Sequence, residues 1–289
     1  MTSSKGVLIF AYNSTFDYVS MAAACAAMCK LWHWRRPRND TGIQVTLVTD
    51  LFGALHADAN VFDNIIVHET DATNKRSFRL NLNQEITTID WKNLTRADAY
   101  ELSPYDETLL LDADYLMFTA DLFSHFGTDA EFTCYKDVLD VTGQNSFKRD
   151  RRLGQYSIPM LWATAIYFKK CEFSKAVFDM MKTIKSNYSY YSMVYGFNST
   201  PYRNDFALSI AHHALSGYGT QKLMPNKLPT LPSAANVVEL SAGNLPRILY
   251  QYKTDAVYTG ALQYTDLHIM NKHSFTPKFI KDVKSYATY

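Results

Sequence analysis

The chain contains the stretch Glu107-Thr108-Leu109-Leu110-Leu111-Asp112-Ala113-Asp114-Tyr115-Leu116-Met117-Phe118, in which an apolar run ends in two carboxylates one residue apart. The run 108–111 shows no polar alternation, so it predicts a strand buried on both faces, as in a parallel sheet with helices on either side. Open α/β sheets bind ligands outside the carboxyl ends of their strands. The stretch therefore predicts both a fold class and the position of a binding site.

The two carboxylates, Asp112 and Asp114, predict a metal site. In extended backbone, side chains two residues apart point the same way, so both face one crevice. They repel each other unless a cation lies between them, and oxygen ligands suit Mg²⁺ or Mn²⁺. About one Asp-x-Asp is expected by chance in this length, and such acids also cap helices or solvate turns. The apolar neighbours favour the metal site, because burying carboxylates without a counter-ion is costly.

The first hundred residues alternate between strand and helix patterns. Strands at 7–11, 43–49 and 64–68 alternate with helices near 17–32 and 51–58, and a further helix near 96–102 precedes the acidic strand. This order predicts an α/β fold with a central, mostly parallel sheet flanked by helices and a Rossmann-like nucleotide-binding half.

Five residues lie at or just after the ends of the first two predicted strands, at the same edge of the sheet: Ala11, Tyr12, Asn13, Thr49 and Asp50. We expect them at the nucleotide site because ligands bind at this edge. Tyr12 has a ring that could stack on a nucleobase, and Asp50 could accept a hydrogen bond from a ribose or a base. Each of them, taken alone, also fits an ordinary loop residue.

The second half is less regular. A strand is predicted at 161–170, an amphipathic helix at 174–185 and a helix at 206–215. Between the two helices, residues 187–205 are rich in Tyr, Ser and Asn and predict a long binding loop. Residues 217–246 show no helical period.

Composition excludes several classes of protein. The formal net charge of +1 gives no global signature for binding polyanions. The four cysteines lack zinc-site spacing. We expect a reduced, cytoplasmic protein. The apolar stretches are too short to span a bilayer, so we expect no membrane insertion. Nothing in the sequence predicts the oligomeric state.

The apolar strand followed by Asp112-Ala113-Asp114 resembles the GT-A class of nucleotide-sugar-dependent glycosyltransferases. That resemblance implies one catalytic domain over 1–289, with a nucleotide-sugar half at 1–120, which includes Ala113, and an acceptor half at 121–289. The family-eight type carries an Arg upstream of the acids, and Arg96 looks like that residue, implying contact with the donor sugar or diphosphate. It also has a late His as third metal ligand and a Lys on the diphosphate, which His268 and Lys272 resemble. The spacing is shorter here, and the usual Gly between the two is missing.

The resemblance extends to Asp205, which is similar to the acid that GT-A enzymes place under the acceptor or sugar. It is the candidate catalytic base or sugar-positioning acid, together with Arg96 as a catalytic residue, although Asp is also a common helix cap. The implied reaction moves a sugar from a nucleoside-diphosphate sugar to an acceptor hydroxyl. A divalent ion held by Asp112, Asp114 and His268 would stabilise the leaving diphosphate.

The acceptor is predicted from two basic clusters, at 148–152 and 34–38, and from the abundant tyrosines. Basic side chains with aromatic neighbours can hold a nucleic-acid backbone and stack a base. The segment 102–108 is similar to glycosyltransferase-like proteins of tailed bacteriophages, which implies a hydroxymethylated pyrimidine in phage DNA, or a sugar on it, as acceptor and the host cytoplasm as location. A carbohydrate or lipopolysaccharide acceptor is the alternative, and solvated loops are the simpler explanation of either basic cluster taken alone.

Two other functions remain open. A nucleotidyltransferase that forms nucleotide sugars also uses carboxylates and a metal, but it usually begins with a glycine-rich phosphate loop, which segment 6–13 lacks. A non-catalytic binding protein on the same fold is the other alternative, since fold does not fix function.

Overall fold

The structure, a computed structural model, describes residues 3–35, 43–70, 73–80, 85–92, 94–197, 201–217, 223–241 and 246–288. Its strands are β1 (Lys5–Phe10), β2 (Gln44–Thr49), β3 (Asn64–Val67), β4 (Asn74–Leu80), β5 (Glu85–Trp91), β6 (Glu107–Asp112), β7 (Tyr115–Leu116), β8 (Phe132–Tyr135), β9 (Val138–Asp140), β10 (Arg152–Leu153), β11 (Ile158–Pro159), β12 (Trp162–Lys169), β13 (Leu228–Leu231), β14 (Asn236–Ser241), β15 (Arg247–Lys253), β16 (Val257–Gln263) and β17 (Leu267–Ile269). Its helices are α1 (Tyr18–Trp34), α2 (Leu51–His56), α3 (Ala99–Leu102), α4 (Glu172–Ser186), α5 (Tyr188–Tyr195), α6 (Asn204–Ser216) and α7 (Pro277–Tyr286).

A six-stranded sheet in the order β3-β2-β1-β6-β12-β8 forms the centre of the molecule. The strands β3, β2, β1 and β6 run parallel, and β12 runs antiparallel to both β6 and β8. The predicted α/β fold with a central, mostly parallel sheet flanked by helices is therefore confirmed.

Helices cover both faces of this sheet. Ile9 and Leu111 belong to a core cluster that includes residues of α1 and α7. Leu8 and Leu110, one residue earlier in each strand, belong to a second cluster with residues of α4 and α6. Because neighbouring residues of a strand point to opposite faces, an unbroken apolar run is what a strand between two layers of helices requires.

A second, four-stranded sheet has the order β7-β17-β13-β9. Its first strand starts directly after the acidic pair, and β17 runs antiparallel to it, with His268 opposite Tyr115. The sheet therefore brings β17 next to the carboxyl end of β6.

Three smaller sheets within the described residues were not predicted, and one of them is the antiparallel pair of β10 and β11. The strands β4 and β5 pair as an antiparallel hairpin, and β14, β15 and β16 form a three-stranded antiparallel sheet. The segment 187–205, predicted as a loop, contains the helix α5, which ends at Gly196 in a left-handed conformation. Within the described residues, no helix has both the length and the apolar character needed to cross a bilayer.

Candidate active site

A cavity of about 360 Å³ opens at the carboxyl ends of β1 and β6. Its volume is within the usual range for sites that bind small molecules. The residues that line it come from both halves of the chain: Phe10, Ala11, Tyr12, Tyr18, Ser77, Ile89, Trp91, Lys92, Arg96, Asp112, Ala113, Asp114, Trp162, Ala163, Thr164, Pro201, Arg203, Asn204, Asp205, His268, Met270 and Lys272.

Three potential metal ligands meet in this cavity. One ligand atom each of Asp112, Asp114 and His268 lies within 4.8 Å of the other two. His268 Nε2 is 3.5 Å from Asp114 Oδ2, and both side chains are buried. The structure thus brings together the three residues that the sequence predicts as metal ligands.

The strand pairing explains how residues so far apart in sequence meet. The chain turns after Asp112, and the backbone N–H of Ile269 donates to the Asp114 carbonyl at 3.0 Å. Asp266 stabilises the same junction, because its buried carboxylate accepts from the backbone N–H groups of Phe118 and Thr119, both at 2.7 Å. Burial raises the pKa of Asp266 to about 6, although these donors oppose the shift. The sequence analysis missed this residue.

The donor set fits a divalent ion of the Mn²⁺ or Mg²⁺ type. Two carboxylates supply oxygen, and an imidazole suits Mn²⁺ better than it suits Mg²⁺. Burial lowers the pKa of His268, and the carboxylates of Asp112 and Asp205 oppose the shift. The imidazole therefore tends to be neutral, which is the form that binds a metal. Its Nδ1 is buried and accepts or donates no hydrogen bond within the described part of the protein.

Arg96 lies at the base of the cavity and is 0% exposed. Its guanidinium is 2.9 Å from Asp112 Oδ1 and donates to the carbonyls of Leu111 and Ala163, at 3.3 Å and 2.5 Å. Burial lowers the pKa of Arg96, while the carboxylates of Asp112 and Asp205 oppose the shift. The side chain therefore holds Asp112 in place and joins β6 to β12.

Lys272 approaches the acidic group from the short helical turn that follows β17. Its ammonium forms an ion pair with Asp114 Oδ2 and donates to the carbonyl of Ile269 at 3.3 Å. An ammonium group beside two acids is suited to contact phosphate oxygens. The shorter spacing from His268 does not keep Lys272 out of the cavity.

Asp205 lies across the cavity, in the first turn of α6. Its Oδ1 accepts from the backbone N–H of Ala163 at 2.9 Å, and its Oδ2 accepts from Arg203 at 2.9 Å. Ala163 therefore donates to Asp205 through its N–H and accepts from Arg96 through its carbonyl. Because both oxygens are engaged, this carboxylate is better arranged to hold a position than to remove a proton.

The predicted nucleotide contacts divide into two groups. Ala11 and Tyr12 line the cavity, as do Asp112 and Ala113. The ring of Tyr12 is 2% exposed, and its hydroxyl lies 3.2 Å from His68 Nδ1 and 3.1 Å from Thr95 Oγ1. Burial raises the pKa of Tyr12 to about 12, so the hydroxyl stays protonated.

The other three do not belong to the cavity lining. Asn13 accepts from the N–H of Val19 in the first turn of α1. Asp50 caps α2 by accepting from the N–H of Gly53 at 2.7 Å, and Thr49 is fully buried under the same turn. The structure gives the side chains of Asn13 and Asp50 roles in starting helices, and a contact of any of the three with a nucleotide remains a prediction.

Several cavity residues were missed by the sequence analysis. Ile89 and Trp91 come from β5, and Trp162 starts β12. The unbroken run of β-branched residues at 86–89 is a strand signal that could have identified the hairpin. Nothing local in the sequence indicates that this hairpin borders the site, because that depends on tertiary packing.

None of the described side chains of the two basic clusters lines the cavity. In the cluster at 148–152, Lys148, Arg151 and Arg152 are exposed. The side chain of Arg149 does not belong to the described part of the structure. In the other cluster, Arg35 packs on the rings of Trp32 and Tyr286, and residues 36–38 lie outside the described residues.

Comparison with solved structures finds glycosyltransferases as structural neighbours. The galactosyltransferase LgtC, in complex with donor and acceptor sugar analogs, gives a TM-score of 0.43 at 14% identity over 70% of this chain and 69% of LgtC. The glycosyltransferase GlyE of Streptococcus pneumoniae TIGR4 gives 0.39 at 9% identity over 78% of this chain and 46% of GlyE, so this chain matches less than half of GlyE. No protein-family profile matches the sequence, and no curated protein does. At this distance, function has to be argued from the site itself.

Proposed function

We propose that this chain is a metal-dependent glycosyltransferase of the GT-A type, which moves a sugar from a nucleoside-diphosphate sugar to an acceptor hydroxyl. The observation that carries the proposal is the meeting of Asp112, Asp114 and His268 in a cavity at the carboxyl edge of the sheet, with the cationic side chain of Lys272 beside them. An acidic metal site next to a cation is the arrangement that a diphosphate leaving group needs.

Each side chain has a distinct task in this reaction. Asp112, Asp114 and His268 would hold Mn²⁺ or Mg²⁺, which when bound supplies a positive charge to the departing diphosphate. Lys272 contacts the diphosphate and shares that charge. Arg96 keeps Asp112 in place, since its guanidinium is fully buried behind that carboxylate.

Asp205 is proposed as the acid that positions the donor sugar. Its two oxygens are anchored by Ala163 and Arg203, which fixes the position of the carboxylate in the cavity lining. This arrangement, with the family-eight likeness, favours a retaining course over an inverting course with Asp205 as base.

The donor test measures release of nucleoside diphosphate from a panel of nucleotide sugars, with Mn²⁺ or with a chelator. We expect slow hydrolysis of one donor by the natural protein and none by Asp114→Asn. The matched control is Asp121→Asn, an exposed acid, which should hydrolyse that donor normally. Silence on every donor, with a folded protein, would favour a non-catalytic GT-A-fold binding protein.

DNA is the proposed acceptor, through a hydroxymethylated pyrimidine or a sugar already on it. The supporting feature is the exposed cluster of Lys148, Arg151 and Arg152. Burial raises the pKa of Asp150 within this cluster, and the Arg203 guanidinium opposes the shift while the Asp205 carboxylate adds to it, so Asp150 lies near two residues of the cavity. A carbohydrate or lipopolysaccharide acceptor is the alternative.

Salt-dependent binding distinguishes these acceptors. Arg151→Ala with Arg152→Ala should weaken DNA binding and lower its salt slope by about 2, because each lost phosphate contact removes about 0.9. The control removes the same charge elsewhere, with Lys278→Ala and Lys281→Ala on α7. An unchanged slope in the first variant would favour the carbohydrate acceptor.

We propose that residues 1–289 form a single catalytic domain, with the nucleotide-sugar half at 1–120 and the acceptor half at 121–289. A cytoplasmic location, in the host if the protein is viral, remains a prediction. None of the four cysteines forms a disulfide.

A further inference from the structure

The strand β16 forms an open edge of the three-stranded sheet. It pairs with β15 over its whole length, from Val257 to Gln263, and no other described strand pairs with it. Its seven residues include no charged side chain and no proline. Val257 is 54% exposed and Tyr258 is 42% exposed. An uncharged edge of this length presents backbone donors and acceptors to another strand.

Other edges in the described structure are protected. The opposite edge of the same sheet, β14, has an irregular pairing between Val237 and Glu239, contains a charged residue and packs on α7. In the central sheet, the edge strands β3 and β8 have only four residues each, and β8 pairs irregularly with β12. Short length, bulges and charges are the usual ways in which proteins prevent pairing at an edge. The strand β16 has none of them.

We propose that β16 pairs antiparallel with β16 of a second copy of this chain, around a two-fold axis at Gly260. This register places Tyr258 opposite Leu262 of the partner and Thr259 opposite Ala261 of the partner, each pair occurring twice. All seven residues of each strand take part, and no like charges face each other. The result is a continuous six-stranded sheet across the dimer.

The side chains of β16 fit this register. Leu262 is partly buried and packs against the core on one face of the strand. Tyr258 lies on the same face, because its position differs from that of Leu262 by four, an even number. An aromatic side chain opposite an aliphatic one is a favourable cross-strand pair. Thr259 and Ala261 lie on the exposed face and are small enough to oppose each other.

Gly260 suits the axis position. A Cβ at this residue would lie 2.3 Å from the ring of Tyr250, whose hydroxyl donates to the carbonyl of Val141 at 2.7 Å. The ring of Tyr250 therefore covers one face of the strand at its centre, and no side chain of β16 competes for that space. The two Gly260 residues can approach across the axis without a steric conflict.

This self-complementarity selects a second copy over an unrelated peptide. A peptide partner would need an apolar residue opposite Tyr258 and a small residue opposite Thr259, and the strand itself supplies both in the reversed direction. None of the residues of β16 lines the cavity, so the dimer and the proposed activity are tested independently.

Charge substitution on the exposed face tests the register. Thr259→Lys with Ala261→Lys places lysines opposite lysines twice across the axis, and Thr259→Glu with Ala261→Glu does the same with acids. We expect sedimentation equilibrium to give twice the chain mass of 33.0 kDa for the natural protein and the single mass for each variant alone. An equimolar mixture of the two variants should restore the double mass, because opposite charges then face each other.

The control is Val238→Lys on the exposed part of β14, which should leave the dimer intact. A natural protein that stays monomeric at every concentration would overturn the proposal, whatever other partner it has. A dimer that survives in both charged variants, or a mixture that stays monomeric, would overturn it as well. Circular dichroism of each variant establishes that it is folded.

Discussion

Arg96 shows how one side chain can define an acidic site. It is fully buried, it pairs with Asp112, and it donates to carbonyls of two strands. A cation in this place offsets the repulsion between Asp112 and Asp114 whether or not a ligand is bound. Its first task is therefore to position Asp112, and a direct contact with donor sugar or diphosphate remains a prediction.

We expect Arg96→Met to destabilise the fold by about 3 kcal/mol, because it leaves the Asp112 carboxylate without its buried partner. Asp112 is itself partly exposed, so the cost should fall at the lower end of the range for broken buried pairs. Urea unfolding measures the change. Lys92→Met removes a half-exposed cation from the cavity wall and should change the free energy of unfolding by less than about 0.5 kcal/mol. Equal effects of the two substitutions would argue against this role for Arg96.

Individual residues were predictable where chemistry and position agreed. Asp112 and Asp114 were found because two acids directly after an apolar strand are costly without a cation. Asp50 also follows a strand, but it caps α2 instead of lining the cavity. The sequence cannot separate these two outcomes, since Asp is equally suited to a helix start and to a site.

At the scale of elements, the pairing of β17 with β7 builds the site. His268 reaches Asp114 only because the two strands pair in one register, and Asp266 fixes that register by accepting from the backbone after β7. No sequence pattern gives this pairing, because it joins segments about 150 residues apart. The strand β6, by contrast, was predictable from its own unbroken apolar run.

We expect Asp266→Ala to lower the free energy of unfolding by about 3 kcal/mol, because the buried backbone N–H of Phe118 and the partly buried N–H of Thr119 would lose their acceptor. The affinity for Mn²⁺ should also fall, since the element that holds His268 would shift. Asp129→Ala, at an exposed position, is the matched control and should change neither quantity. Loss of stability without any change in Mn²⁺ affinity would limit Asp266 to a structural role.

At the scale of the whole molecule, the cavity lies where the central sheet, the second sheet and the β4–β5 hairpin meet. The strands β1 to β3 and the helices α1 and α2 were predictable from the alternation of patterns in the first hundred residues, and β6 and β12 from their own apolar runs. The strand β8 and the helix α7 were not predicted. The helix α5 was not predicted, because its tyrosines and serines also fit a binding loop. The place of the hairpin beside the site was not predictable, because tertiary contacts decide it. The half of the site formed by β1 and β6 was therefore visible in the sequence, and the wall carrying Trp91 and Trp162 was not.

Because the cavity joins these units, its ligand should stabilise the whole chain. A nucleoside diphosphate with Mn²⁺ at about 100 times its Kd should add about 2.7 kcal/mol, which corresponds to a rise in Tm on the order of 5 °C. Differential scanning calorimetry with a panel of nucleoside diphosphates measures this shift. A chelator should abolish it, and a shift that survives chelation would separate nucleotide binding from the metal.

The most direct test of the central claim is electron paramagnetic resonance of Mn²⁺ added to the purified chain. We expect one bound Mn²⁺ per chain with nitrogen hyperfine coupling from His268, and loss of this binding in Asp114→Asn but not in Asp121→Asn. Tight binding that is unchanged in Asp114→Asn, or no bound Mn²⁺ in the natural protein, would contradict a metal site formed by Asp112, Asp114 and His268.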